Sequence, residues 1–214
     1  MNRDYYKVLL LGQSGKGKTY SFRNMDPNTT GFINVENKPL PFKNNFKYHK
    51  RVTTFSEVLE TIYEYAQNKE ITAIVIDSFS AYMDLVLTEA RRIKKGFDVW
   101  NMYAEEISKF NSFVKKCEKE VYITAHYEIL GIEGNMEKRC KVKGKEFEGM
   151  VEKDYTMVLY ADNKFNDKGK PEYYYNLAAE GTSAKCPPDI FGADIIKIDN
   201  DIKFIDDQIK KFVA

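Results

Sequence analysis

Eight consecutive residues, Gly12-Gln13-Ser14-Gly15-Lys16-Gly17-Lys18-Thr19, have the types and order needed to hold a chain of phosphates. Gly12, Gly15 and Gly17 free the backbone to take positive φ and to bring successive N–H groups against a β-phosphate, where a side chain would intrude. Lys18 is spaced to reach the β- and γ-oxygens, and the Thr19 hydroxyl to complete the coordination of Mg²⁺. The pattern GxxxxGKS/T is met without a mismatch, so residues 12–19 are expected to bind a nucleoside triphosphate, with Lys16 a solvated lysine of the loop. The same glycines and Lys18 also satisfy the GxxGxGK spacing of small-molecule kinases. The loop alone therefore leaves hydrolysis, phosphoryl transfer and a nucleotide switch with little turnover all open.

Three further residues bear on that choice. Asp77 closes an apolar run and precedes Ser78, the form of an acid at a strand tip that holds a Mg²⁺ shell; a helix N-cap is the competing role for the same residue. Glu36 ends the run Gly31 to Glu36. A carboxylate there is suited to orient and polarise a water in line with a γ-phosphate, and it argues for water as the acceptor against the alternative of a plain surface acid. His126 follows the run Val121 to Ala125, from which an imidazole could report the loss of the γ-phosphate or simply be satisfied at a strand end.

These residues need elements that bring them together. Tyr6–Leu11 reads as a buried strand before the glycine loop, and Thr19–Met25 as the opening of a helix. Gly31–Glu36, Tyr48–Val52, Ile71–Asp77 and Val121–Ala125 read as further strands. Helices are expected over roughly 55–67, where Thr54 to Glu57 has capping-box spacing, and over about 80–95 and 101–118. Strands alternating with helices give a parallel α/β sheet whose ligands gather at the carboxyl ends of the strands, and Gly12, Glu36, Asp77 and His126 all fall at such ends. Tyr155–Ala161 and Tyr173–Ala178 look like two arms of a hairpin that extends the sheet in antiparallel fashion. Ile202, Ile205, Ile209 and Phe212 space out along a terminal amphipathic helix.

Between those regions, residues 128–150 are charged and glycine-containing. Lys138, Arg139, Lys141, Lys143 and Lys145 place five cations within eight residues, able to follow a phosphate backbone with Tyr127 and Phe147 nearby to stack bases; a solvated lysine-rich loop is the plainer alternative.

Composition sets the bounds. The 214 residues suit one sizeable core, so a single domain over 1–214 is expected, with a core at about 5–178 and a C-terminal extension at about 179–214. A formal net charge of +1 excludes a chain built as a polycation, so any nucleic-acid contact must be local. Cys117, Cys140 and Cys186 are odd in number and widely spaced, which argues against a disulfide framework or a zinc site and for a reducing cytosol. No apolar run reaches the length of a membrane span and the start lacks a signal peptide, so no membrane partner is expected.

The ordered set GQSGKGKT at 12–19, FINVE at 32–36, AIVIDSFSAY at 73–82 and VYITAHYE at 121–128 resembles a RecA-like P-loop ATPase core. It looks most like the compact phage-encoded RecA-like proteins of single-strand annealing and recombination. That resemblance implies ATP with Mg²⁺ as the bound species and a Mg-dependent, DNA-stimulated ATPase activity. Its partners would be single-stranded DNA and either further copies of the chain or a single-strand-binding protein, and its location the cytoplasm, that of the host if phage-encoded. It matches Lys18 and Thr19 to the nucleotide lysine and magnesium hydroxyl, Asp77 to the magnesium acid and Glu36 to the water-activating glutamate. His126 stands where the family commonly has Gln as sensor, and the segment 129–150 where it has its mobile DNA-contacting loop; Lys143 or Lys145 could instead reach the ATP of a neighbouring subunit. Two departures are expected: no N-terminal subunit-linking arm, and too few residues after Glu36 for the usual helix before the third strand.

Overall fold

An apolar run without a polar face is stable only when both of its faces are covered, and the central strands of this protein are such runs. The computed structural model describes residues 3–132, 135–144 and 147–214. Its strands in chain order are β1 (Lys7–Leu11), β2 (Thr30–Asn34), β3 (Tyr48–Arg51), β4 (Ala73–Asp77), β5 (Glu120–Ala125), β6 (Tyr127–Ile132), β7 (Asn135–Cys140), β8 (Met157–Phe165), β9 (Pro171–Asn176) and β10 (Lys197–Asp199). The helices are α1 (Phe55–Gln67), α2 (Phe79–Ile93), α3 (Asp98–Lys116), α4 (Pro188–Phe191) and α5 (Ile202–Phe212).

Eight strands form one sheet in the order β10-β9-β8-β1-β5-β4-β2-β3. The six from β8 to β3 run parallel, and β9 and β10 add to the β8 edge in antiparallel fashion. This is the mainly parallel α/β sheet with an antiparallel C-terminal extension that the strand–helix alternation predicts. Successive residues of a strand face opposite sides. Leu9 and Leu11 accordingly join the core beneath α1, α2 and α3, while Val8 and Leu10 join the one beneath α5. The capping box of α1 forms as its spacing predicts, Glu57 N–H donating to Thr54 Oγ1 at 3.3 Å and Thr54 N–H to Glu57 Oε2 at 3.2 Å.

Two expectations are corrected, and two short elements add to them. The helix predicted after the glycine loop is only a 3-10 turn, Thr19–Phe22, anchored by the Tyr175 hydroxyl donating to Ser21 Oγ at 2.8 Å. The cationic segment at 129–150 is not simply a loop: β6 and β7 pair as a two-stranded hairpin separate from the main sheet. The short elements α4 and β10 carry no sequence signal strong enough to predict. By contrast β2 does cross to β3 without a helix, and the connecting loop covers the sheet with rings, Phe46 stacking on Phe32 at 5.3 Å. Among the described residues no helix is long and apolar enough to cross a membrane, and the three cysteines are free.

The strand order determines who meets whom at the site. β5 lies between β1, which leads into the glycine loop, and β4, which ends in Asp77; β2, which leads to Glu36, flanks β4 on its far side.

Candidate nucleotide site

Residues 12–19 form a loop around a cavity of about 440 Å³. Gly15 and Gly17 take φ of +77° and +82°, the left-handed region that a side chain disfavours. Gly12 does not have positive φ and is needed for another reason: a Cβ there would stand 3.1 Å from both Cβ and the carbonyl oxygen of Ala161 on β8. Lys18 Nζ donates to the carbonyl oxygens of Gly12 at 2.7 Å and Gln13 at 3.1 Å. Burial lowers its pKa to about 8, a bias that the nearby Asp77 and Glu36 charges oppose.

Lys16 is not the solvated lysine expected. Its ammonium lies 2.7 Å from Asp162 Oδ1 and donates to Asn163 Oδ1 at 2.7 Å, so the loop is tied to the end of β8. Gln13 turns the other way, its side-chain amide donating to the Tyr127 carbonyl oxygen at 2.9 Å. Ser14 lines the cavity with Gly15.

Asp77 is buried at the tip of β4, and both of its oxygens face hydroxyls: Thr19 Oγ1 donates to Oδ2 at 2.9 Å, and Thr124 Oγ1 on β5 donates to Oδ1. Burial raises its pKa, partly offset by those two hydrogen bonds. A buried carboxylate paired with a threonine hydroxyl fits a Mg²⁺ ion that retains several waters and takes its other ligands from phosphate oxygens. The N-cap role belongs to Ser78, whose Oγ accepts the Ala81 N–H at 3.1 Å. Asp77 is thus left free of the helix end.

The same Ser78 hydroxyl donates to Glu36 Oε1 at 2.7 Å, and Lys38 Nζ lies 2.9 Å from Oε2. Burial alone would raise the Glu36 pKa, but the Lys38 and Ser78 hydrogen bonds, with the Lys38 charge, outweigh it and the carboxyl lies below its usual range. Glu36 is fixed to β4 through its backbone as well, its N–H donating to the Asp77 carbonyl oxygen at 3.1 Å. The result is an ionised, oriented carboxylate on the cavity wall.

His126 also lines the cavity; its Nδ1 is 3.1 Å from the Gly12 carbonyl oxygen, and its backbone N–H donates to Ser80 Oγ at 3.0 Å. Burial, then the Lys18 charge, lowers its pKa, so the ring is neutral at pH 7.

The cations expected to form one patch are divided. Lys138 and Arg139 are neighbours on β7 and so face opposite sides of the hairpin. Lys138 Nζ sits 5.3 Å over the Tyr127 ring, whereas Arg139 pairs with Glu137 at 2.8 Å and Lys143 with Asp84 on α2 at 2.8 Å. Lys141 is exposed just past β7, and Lys145 lies outside the described residues. Sequence reasoning missed Thr124, Ser78 and Lys38 as partners of the two acids. Ser78 carried a signal, since it is an N-capping residue type at the start of an apolar helix; Lys38 and Thr124 did not.

No curated protein matches the sequence. Among solved structures, a KaiC-like protein PH0186 from the hyperthermophilic archaeon Pyrococcus horikoshii OT3 is similar at 17% identity and a TM-score of 0.47, over 80% of this chain and 77% of that one. The AAA domain family matches residues 4–187, which span the glycine loop, both acids, His126 and the hairpin. The protein belongs to this family of P-loop ATPases.

Proposed function

We propose that the protein is a Mg²⁺-dependent ATPase acting on single-stranded DNA in recombination or strand annealing. The observation that carries the hydrolytic part is the presence of Glu36 on the wall of the cavity that also holds Lys18, Thr19 and Asp77. With phosphates in the loop, the Lys18 ammonium offsets charge on the β- and γ-oxygens. The Glu36 carboxylate, held by Ser78, orients a water and takes its proton as the water oxygen bonds to the γ-phosphorus and the bond from that phosphorus to the β–γ bridging oxygen breaks, releasing ADP and phosphate. Thr19 and Asp77 are the residues that would hold Mg²⁺, which when bound neutralises charge on the phosphate oxygens.

The DNA part is supported by where the hairpin is rooted. β6 starts one residue after His126, and the Lys141 N–H donates to the His126 carbonyl oxygen at 2.8 Å. Lys138 and Lys141 supply charge for a phosphate backbone at that root. Phosphate release from Mg–ATP, with and without single-stranded DNA, tests both parts. A rate raised by DNA and abolished by Lys18→Ala is expected. No release under either condition overturns the ATPase reading, a rate indifferent to DNA overturns the DNA part, and phosphate recovered on a small acceptor overturns water as the acceptor.

A further inference from the structure

The acids of the cavity come from one side of β1 and its aromatic wall from the other. Asp77 and Glu36 follow β4 and β2; Tyr173 belongs to β9, on the opposite side of β1 beyond β8. The Tyr173 ring lies flush on the phosphate loop, since a Cβ at Gly17 would meet its Cδ1 at 2.8 Å. Tyr20, the residue after Thr19, stands beside it with ring centroids 6.2 Å apart and planes at 51°. Tyr20 is braced from behind: the Arg23 guanidinium sits 4.4 Å from its ring centroid and is itself held by donating to the Asn200 carbonyl oxygen at 2.7 Å. Tyr20 remains 38% exposed, and both rings line the cavity.

A triphosphate whose γ end faces Glu36 must carry its nucleoside out of the loop at the other end, over Gly17 and Thr19 toward β9. We propose that Tyr20 and Tyr173 are the nucleobase platform of this site, taking the base by stacking on their exposed ring faces. Phosphates alone gain nothing from two apolar rings, whereas a base covers them and is covered in turn. Stacking reads a π-face and not a hydrogen-bonding edge, so the platform contributes affinity for any base rather than a choice of one. The proposal rests on the nucleotide reading above.

Calorimetric titration of the whole chain with Mg–ATP and, separately, with Mg–tripolyphosphate tests it. Tyr20→Ala and Tyr173→Ala are each expected to weaken ATP by about five- to 150-fold, the effect of losing one base–aromatic stack. Tripolyphosphate should hold within about twofold, and Tyr173→Phe, which retains the ring, should keep ATP affinity within the same margin. Equal losses for the two ligands would mean that the rings only shape the loop and would overturn the platform, as would unchanged ATP affinity in both alanine variants. If the unaltered protein binds neither ligand, the nucleotide reading itself falls and the platform with it.

Discussion

Lys18 Nζ and His126 Nδ1 converge on a single acceptor, the Gly12 carbonyl oxygen, at 2.7 and 3.1 Å. A carbonyl only accepts, so Nδ1 carries the hydrogen and the neutral ring presents an unprotonated Nε2. In this state His126 has no donor at Nε2 to offer a phosphate. Burial is the first cause of the lowered histidine pKa and the Lys18 charge the second, so an arriving anion that draws Lys18 away from Gly12 weakens only the second and shifts the ring toward the imidazolium, which does have that donor. To donate to a γ-phosphate, His126 must therefore gain a hydrogen at Nε2, by protonation or by exchange of tautomer.

Lys18 gives nucleotide affinity a defined pH dependence. Its pKa in the free protein is lowered to about 8 by burial, and phosphates hold the ammonium form, so binding takes up a proton once the pH passes that value. The Kd for Mg–ATP is expected to rise with pH above 8, approaching about tenfold per unit. Titrations from pH 7 to 10, in buffers of different ionisation enthalpy, read both the affinity and the proton; a flat profile excludes Lys18 as the phosphate-binding cation.

Glu36→Gln keeps the shape and the Ser78 contact but not the base. Turnover should fall by about 10²–10⁴-fold with ATP affinity nearly unchanged, measured as kcat against Kd. Since the Glu36 pKa lies below the usual carboxylate range, the residue is ionised throughout the neutral region and should impose no loss of rate between pH 6 and 8. Undiminished turnover in the variant removes Glu36 from the chemistry.

The two left-handed glycines of the phosphate loop differ in surroundings. Gly15→Ala meets open space and should cost about 1–2 kcal/mol from backbone strain alone. Gly17→Ala adds the collision with the Tyr173 ring and should cost about 1–3 kcal/mol more. Urea unfolding of both variants decides it; equal losses would show that the ring yields freely.

For the hairpin, charges already neutralised should matter least. Replacing Lys138 and Lys141 together by Ala is expected to lower the salt slope of single-stranded DNA binding by about 1.4, at roughly 0.7 per phosphate contact. Arg139→Ala and Lys143→Ala, whose cations face Glu137 and Asp84, should leave the slope nearly unchanged. Equal effects from all four positions would place the strand across both faces of the hairpin.

Legibility in the sequence followed the range of the interaction. Strands such as Ile74–Ile76 and the capped helix α1 are specified by residues within one element, and both were read closely. The phosphate loop was equally plain because its chemistry is contiguous. Glu36 and Asp77 could be named as acids at strand tips, but their setting depends on Ser78, Lys38 and Thr124, which converge only after β5 has entered between β1 and β4. The short 3-10 turn Thr19–Phe22 is held through Ser21 by Tyr175, far along the chain, a contact that local propensity does not contain. The division of the cations was hidden for the same reason: β pairing, absent from the composition, sends Lys138 and Arg139 to opposite faces.

The tie between Lys16 and Asn163 joins residues 147 positions apart. During synthesis the glycine loop therefore emerges well before the wall that holds it on the β8–β9 side. Until β8 has docked, the loop lacks the Lys16 tie to Asp162 and Asn163, and a rise in ATP retention during stepwise chain elongation through β8 would mark its formation.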